Sequence, residues 1–303
     1  MNEFGFMQIY RIPFKAMAST CEVVIADTAE QTMFAKAQEA IAEVRRIEVK
    51  YSRYRPDSIV SRINAEAGND AVVCDPETVA LFDYAQALHQ ASDGLFDITA
   101  GILRQAWDFK SQRVPAANEL QALCQRIGWE KVERTNNKLR LPQAGMEIDF
   151  GGFGKEYAAD RAAAVLEAAG VTHGYVNLGG DIRVLGPKPD GQPWVMGIQD
   201  PRQQDKIAAS IPLTAGALAT SGDYERYCEV GGQRYCHILN PHTGMPVNHW
   251  RSISVLAPLA ALAGSCTTIG MLKQADALAY LQQTGLRFLA IDQQGIVHTQ
   301  AAA

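Results

Sequence analysis

Strand-like and helical runs occupy different stretches of this chain, and that segregation is what most limits its fold. Apolar, β-branched or aromatic runs lie at 20–26, 138–142, 146–150, 174–178, 194–198, 224–230, 233–239, 251–256 and 287–291. Helical spacing is confined to four regions. Residues 29–50 place Phe34, Ala37, Ile41, Val44 and Glu48 on one stripe. Asp75-Pro76 supplies an N-cap and a first helical residue for a second helix, with Gly94 past its end. The Ala-rich stretch 155–169 stops at Gly170, and 259–284 reads as helix with a break near Gly264. Gly231-Gly232 separates two strand runs as a two-residue hairpin turn. That register sets Cys228 against Tyr235, Cys236 against Tyr227, and Glu229 against Arg234 as a cross-strand ion pair. Helices grouped away from hairpin-linked strands indicate an α+β fold with mixed or antiparallel sheets, not a doubly wound one. The polar segment 108–120, with Pro115, reads as a lobe boundary inside a single domain spanning 1–303.

A chain of 303 residues, 47% hydrophobic, buries enough surface to fold without disulfides or structural metal, so any metal should serve chemistry. The net charge of −5 and the absence of a Lys/Arg run argue against a nucleic-acid partner. Residues 1–10 lack a basic segment followed by an apolar core, and no apolar run reaches membrane-spanning length. The six cysteines form no CxxC pair and are expected to be reduced. These features predict a cytoplasmic protein without membrane insertion.

Three glycine turns are candidates for chemistry: Asp149 to Lys155, Asn177 to Asp181, and Ser221 to Tyr227. The first joins a strand-like run to a helix, where free N–H groups and the helix dipole attract phosphate and Lys155 adds a cation. Neither a P-loop nor a dinucleotide fingerprint is present, because Glu156 stands where a P-loop needs Ser or Thr and a third glycine is missing. A tight turn that needs glycine for backbone reasons explains the same residues. His237 falls at a strand end, where a sheet can fix its ring toward a cleft or simply pack it. His242 and His249 lie in turn-like sequence and should be exposed, with no spacing that makes a zinc set with His237.

Taken together, Met17 to Thr20, Tyr51 to Ser58 with Ser61 to Asn64, Asp93 to Asp97, Asp149 to Tyr157, Asn177 to Asp181, Ser221 to Tyr224 and His237 to Gly244 resemble the ApbE-type FAD:protein FMN transferase family. The resemblance runs in order over nearly the whole chain. It implies two lobes around a central FAD cleft, and a magnesium-dependent transfer of FMN from FAD to a Thr or Ser hydroxyl of an acceptor protein, with release of AMP. By analogy His237 is the base and Lys155 neutralises flavin phosphate. Met17, Tyr54, Leu95, Phe96, Asp97, Asp149 and Ile238 match positions that contact FAD, and Ser221 joins them from its own turn. Tyr54 and Phe96 also fit as core aromatics.

The chain departs from the family pattern at its metal site. Where the family reads Ala-Asp-Ala-x-x-Thr, this chain has Ala263 to Thr268, keeping Thr268 but placing Gly264 at the carboxylate position. The Gly152 carbonyl is available to a cation by the same analogy. Glu156 replaces a family glycine, and it either takes over as ligand or is a solvated residue of the first helical turn. Two other activities remain open on the sequence: FAD binding without turnover, and hydrolysis of FAD to FMN and AMP.

Overall fold

The computed structural model describes residues 7–27, 30–203 and 205–300. An N-terminal hairpin of β1 (Gln8–Ala16) and β2 (Ser19–Asp27) leads into α1 (Glu30–Tyr51). The next segment holds α2 (Ile59–Ala65), β3 (Val72–Val73), α3 (Pro76–Ala91), α4 (Ala117–Cys124), β4 (Glu133–Thr135) and β5 (Lys138–Arg140). After α5 (Gly154–Ala168) come β6 (Gly174–Leu178), β7 (Asp181–Gly186), β8 (Trp194–Gln199), β9 (Ile207–Leu213) and β10 (Gly216–Gly222). The chain closes with β11 (Tyr227–Val230), β12 (Gln233–Cys236), β13 (Trp250–Ala257), α6 (Ala260–Lys273), α7 (Ala277–Gln283), β14 (Arg287–Asp292) and β15 (Val297–Gln300).

Eight strands form one sheet in the order β1-β2-β6-β7-β10-β13-β14-β15, and every neighbouring pair is antiparallel. The two faces follow from the two-residue alternation of strands. Val23, Ile25, Val176 and Ala219 point into the larger core with α1, α5 and α6, whereas Val24, Tyr175, Ile182, Val184 and Leu218 point to the opposite face. There the β8–β9 hairpin covers them with Trp194, Met196, Ile198 and Leu213. An α+β fold with antiparallel sheets is therefore what the chain adopts.

Several local expectations hold for the reasons given above. The side chain of Asp75 accepts from Thr78 N and Pro76 opens α3. Gly231 and Gly232 both have positive φ, and the β11–β12 register pairs Cys228 with Tyr235, Cys236 with Tyr227 and Glu229 with Arg234. All six cysteines are free.

Other expectations fail. Residues 146–150 are not a strand, although Met146, Ile148 and Phe150 are buried. Their backbone groups are taken elsewhere: Asn64 brackets Ile148 through two hydrogen bonds of 2.7 and 3.0 Å, and Asp149 N donates to Ile98 O at 2.8 Å. Strand β11 begins at Tyr227 rather than 224. In α1 the buried stripe runs through Met33, Ala37, Ile41 and Val44, while Phe34 faces solvent; residue 29, its expected start, lies outside the described residues. Separately from these departures, the segment 108–120 contains the start of α4, whose Leu120 packs against Trp107 and Cys228.

The expected break at Gly264 is absent, and α6 runs unbroken to Lys273 before Gln274, at φ 49°, ends it. Leu259 offers no cap to α6. Its first turn is instead held from α5, where the two carboxylate oxygens of Asp160 accept from Ala260 N and Ala261 N at 2.8 and 2.9 Å. Charge-assisted capping of this kind stabilises by about 1–2 kcal/mol. Asp160→Ala should lower the unfolding free energy by that amount in urea denaturation at neutral pH, and an unchanged midpoint would mean that α6 does not depend on this clamp.

Candidate active site

Six pieces of backbone meet at one cleft: the segment 95–104, the turn before α5, the start of β7, the end of β10, the end of β12 and the inner face of α6. The turn is shaped by packing beneath it. A Cβ on Gly152 would lie 2.7 Å from Cζ of the buried Phe96, so only glycine lets the chain pass over that ring. Asp149 closes the turn by accepting from Gly151 N at 2.9 Å, with Arg53 and Arg104 at 3.5 and 3.9 Å from its other oxygen. Asp97 caps the short 3₁₀ helix Ile98–Gln105 and also accepts from Trp129 N, which fixes the wall carrying Leu95 and Phe96.

The first turn of α5 delivers two charges to this cleft. Lys155 Nζ lies 2.9 Å from Asp181 Oδ2. Burial alone would lower the Lys155 pKa, but Asp181 and Glu156 outweigh it and hold the ammonium above its ordinary value. Glu156 is not solvated: it is 8% exposed, and its Oε2 has no hydrogen-bond partner. Burial, reinforced by Asp181, raises its pKa, with Lys155 opposing. A Cβ on Gly264 would lie 2.5 Å from Glu156 Oε1 and 2.6 Å from its Cγ. The Glu156 side chain therefore occupies the volume that any side chain at 264 would need.

Thr268 stands one helical turn after Gly264, on the same face of α6. Its hydroxyl lies 3.3 Å from Ser221 Oγ, which also pairs with Thr267 Oγ1 at 2.8 Å. Across the cleft, His237 N donates to Arg226 O at 3.0 Å while its ring Nδ1 is buried without a partner. Burial, with Arg226 and Arg104 nearby, pushes the imidazole down to about 3. His237 is thus neutral near pH 7, the form in which it can accept a proton.

The cleft brings together Leu95, Phe96, Asp97, Asp149, Gly152, Lys155, Glu156, Ser221, His237, Ile238 and Thr268. Met17 and Tyr54 are not among the lining residues. Met17 sits at the tip of the β1–β2 hairpin, its N–H donating to Glu48 Oε1 at 2.6 Å. Tyr54 is 74% exposed and lines an adjoining groove that shares Arg104 and Arg226 with the cleft; Phe96 is the core aromatic of the two. His242 and His249 are exposed. Sequence reasoning assigned no role to Asp181, Thr220, Arg104 or Arg226, which also line the cleft. Asp181 was within reach of it, since an acidic residue directly after Gly179-Gly180 ends one of the three glycine turns.

Two outcomes follow from this geometry. In the unfolded chain histidine takes a proton near pH 6.5, whereas His237 in the fold resists it down to about 3, so this residue subtracts stability as pH falls through that window. NMR of the ring nitrogens should show His237 neutral throughout about pH 5–8, and a protonation step in that range would contradict its burial. Gly264→Ala should destabilise by about 1–3 kcal/mol alone and far less in a Glu156→Gly background, a coupling measurable in a double-mutant cycle.

The sequence model of the ApbE family matches residues 17–290. The FAD:protein FMN transferase of Vibrio cholerae is 32% identical over 255 residues, covering 82% of this chain and 72% of that protein. That of Haemophilus influenzae is 29% identical over 289 residues, covering 90% and 83%. Among solved structures, an ApbE protein from Thermotoga maritima superposes with a TM-score of 0.89 at 31% identity, covering 97% of each chain. The apo form of the flavinyl transferase ApbE from Pseudomonas stutzeri gives 0.86 at 27% identity, covering 100% of this chain and 97% of that one. With a matching cleft-forming fold and a family match over most of its length, this chain belongs to the ApbE family.

Proposed function

We propose that this protein moves the FMN half of FAD onto a Thr or Ser hydroxyl of an acceptor protein and releases AMP. The observation that carries the proposal is the convergence of Lys155, the buried Glu156 carboxylate and a neutral His237 on one cleft. The relatives named as FAD:protein FMN transferases support it. In the reaction the acceptor oxygen forms a bond to the flavin-side phosphorus, the pyrophosphate P–O bond breaks, and AMP leaves with that bridging oxygen. The hydroxyl proton passes to the His237 imidazole, and Lys155 balances charge on the phosphate oxygens. Asp149, Leu95, Asp97, Ile238 and Ser221 are assigned to FAD binding, with Phe96 acting from beneath the turn. Met17, at the tip of the β1–β2 hairpin, and Tyr54, in the adjoining groove, are assigned to the outer parts of FAD.

A divalent cation fits the residues present, because Glu156 Oε2 is buried and unpartnered and the Thr268 hydroxyl stands nearby. Glu156, Thr268 and the Gly152 carbonyl would hold Mg²⁺, which would supply Lewis-acid stabilisation of the transferring phosphoryl group. Glu156 then does the work of the carboxylate that the family carries at the position of Gly264. Among the described residues no helix is long and apolar enough to cross a membrane. The free cysteines accord with the cytoplasmic location we assign.

Incubation with FAD, Mg²⁺ and a Thr-containing acceptor tests the reading through AMP release and covalent flavin on the acceptor. His237→Ala should slow transfer by about a hundredfold or more while leaving FAD affinity nearly unchanged. Lys155→Ala should weaken FAD binding by about 1.5–3 kcal/mol in a flavin titration. Full turnover in the His237 variant would remove the base assignment. AMP release that is independent of acceptor would make the protein an FAD pyrophosphatase, and bound FAD without AMP would make it a flavin carrier.

A further inference from the structure

Five carboxylates line the cleft (Asp97, Asp149, Glu156, Asp181 and Glu225) against three cations (Arg104, Lys155 and Arg226). Glu156 is 8% exposed and Asp181 3%, and both face the cleft beside Thr268. Lys155 Nζ meets Asp181 at 2.9 Å, and Glu156 Oε2 has no partner at all. Two buried carboxylates beside one ammonium are relieved either by a proton on Glu156 or by a further cation that takes the proton's place. Both come from rigid elements, Glu156 from the first turn of α5 and Asp181 from the first residue of β7. Removing any Cβ from position 264 is what lets the Glu156 carboxyl sit there, one turn from Thr268.

We infer that Glu156 and Asp181 form a two-carboxylate cradle for one divalent cation, completed by the Thr268 hydroxyl, and that this chain takes up the cation before any flavin is bound. The inference rests on the metal-assisted reading above for its location and adds Asp181 as a ligand. Hard divalent cations bind all-oxygen sites with an affinity set chiefly by the number of charged ligands. With two carboxylates supplied by the protein, pyrophosphate oxygens are not needed to complete the charge. Lys155 plays a second part: without the cation its ammonium neutralises Asp181, and when the cation takes Asp181 the ammonium is released toward phosphate. Cation and phosphate binding are then coupled favourably, each tightening the other.

The test uses Mn²⁺ as probe on the purified full chain freed of flavin, followed by electron paramagnetic resonance and isothermal titration calorimetry. One Mn²⁺ should bind per chain. Glu156→Gln and Asp181→Asn should each weaken it by about tenfold or more. Lys155→Met, which removes the competitor for Asp181, should tighten it by about threefold or more, and this variant keeps the inference testable if Asp181→Asn does not fold. The Glu156→Gly/Gly264→Asp pair should retain Mn²⁺, because the carboxylate has only changed helix. No Mn²⁺ uptake by the flavin-free wild type overturns the inference. So does unchanged affinity in both the Asp181 and Lys155 variants, which would leave Asp181 as a counterion alone. AMP release measured on the same preparations separates the two readings: turnover without flavin-free Mn²⁺ binding sinks the cradle and leaves the transferase reading standing, and the reverse sinks the transferase reading alone.

Discussion

The clamp of Asp160 on the first turn of α6 sets the distance on which the rest of the site depends. Its two oxygens satisfy Ala260 N and Ala261 N, which α6 leaves without a cap of its own. The same residue lies one turn beyond Glu156 on α5, so the clamp fixes α6 against the helix that carries the buried carboxylate. Ala158, Ala159, Ala162 and Ala163 are all buried on α5. Small side chains there let the helix lie close to its neighbours, and close approach is what turns Gly264 and Glu156 into complementary halves of one volume.

Within that frame the electrostatics follow from what is buried and what is paired. Asp181 has Lys155; Glu156 has no hydrogen-bond partner on its Oε2; His237 is kept neutral by burial and the surrounding arginines. Each group is placed by a rigid element, not by a long loop: a helix N-terminus, the first residue of a strand and the residue after a strand. A reaction that moves a phosphoryl group gains most from charges held in place before the substrate arrives, since little reorganisation is then needed.

Departures from expectation have particular causes. Gly264 was expected to interrupt a helix because glycine is a poor helix former, a penalty of about 1 kcal/mol. In the fold that penalty is outweighed by burial of ten of the fourteen residues of α6. The run 146–150 has the alternation of a strand, and its apolar residues are indeed buried, but Asn64 and Ile98 take the hydrogen bonds that a ladder would use. Tyr54 fits a core aromatic by type, and the turn after α1 leaves it in solvent instead. Glu156 shows the opposite error, since a charged residue in a first helical turn is usually solvated.

Apart from the eleven cleft residues, which the family resemblance largely supplied, the sequence by itself determined the α+β class, the β11–β12 register and the cap of α3. These depend on local chemistry: the two-residue alternation of strands, the positive φ of Gly231 and Gly232, and the Asp75-Pro76 pair. Only the tertiary structure decided where the charges go. Glu156 and Gly264 are 108 positions apart in numbering (264 less 156), and no local rule relates them. Whether a carboxylate is solvated or buried, and which lysine balances it, depends on which helix packs beside it, and that is settled by the clamp and the apolar core together.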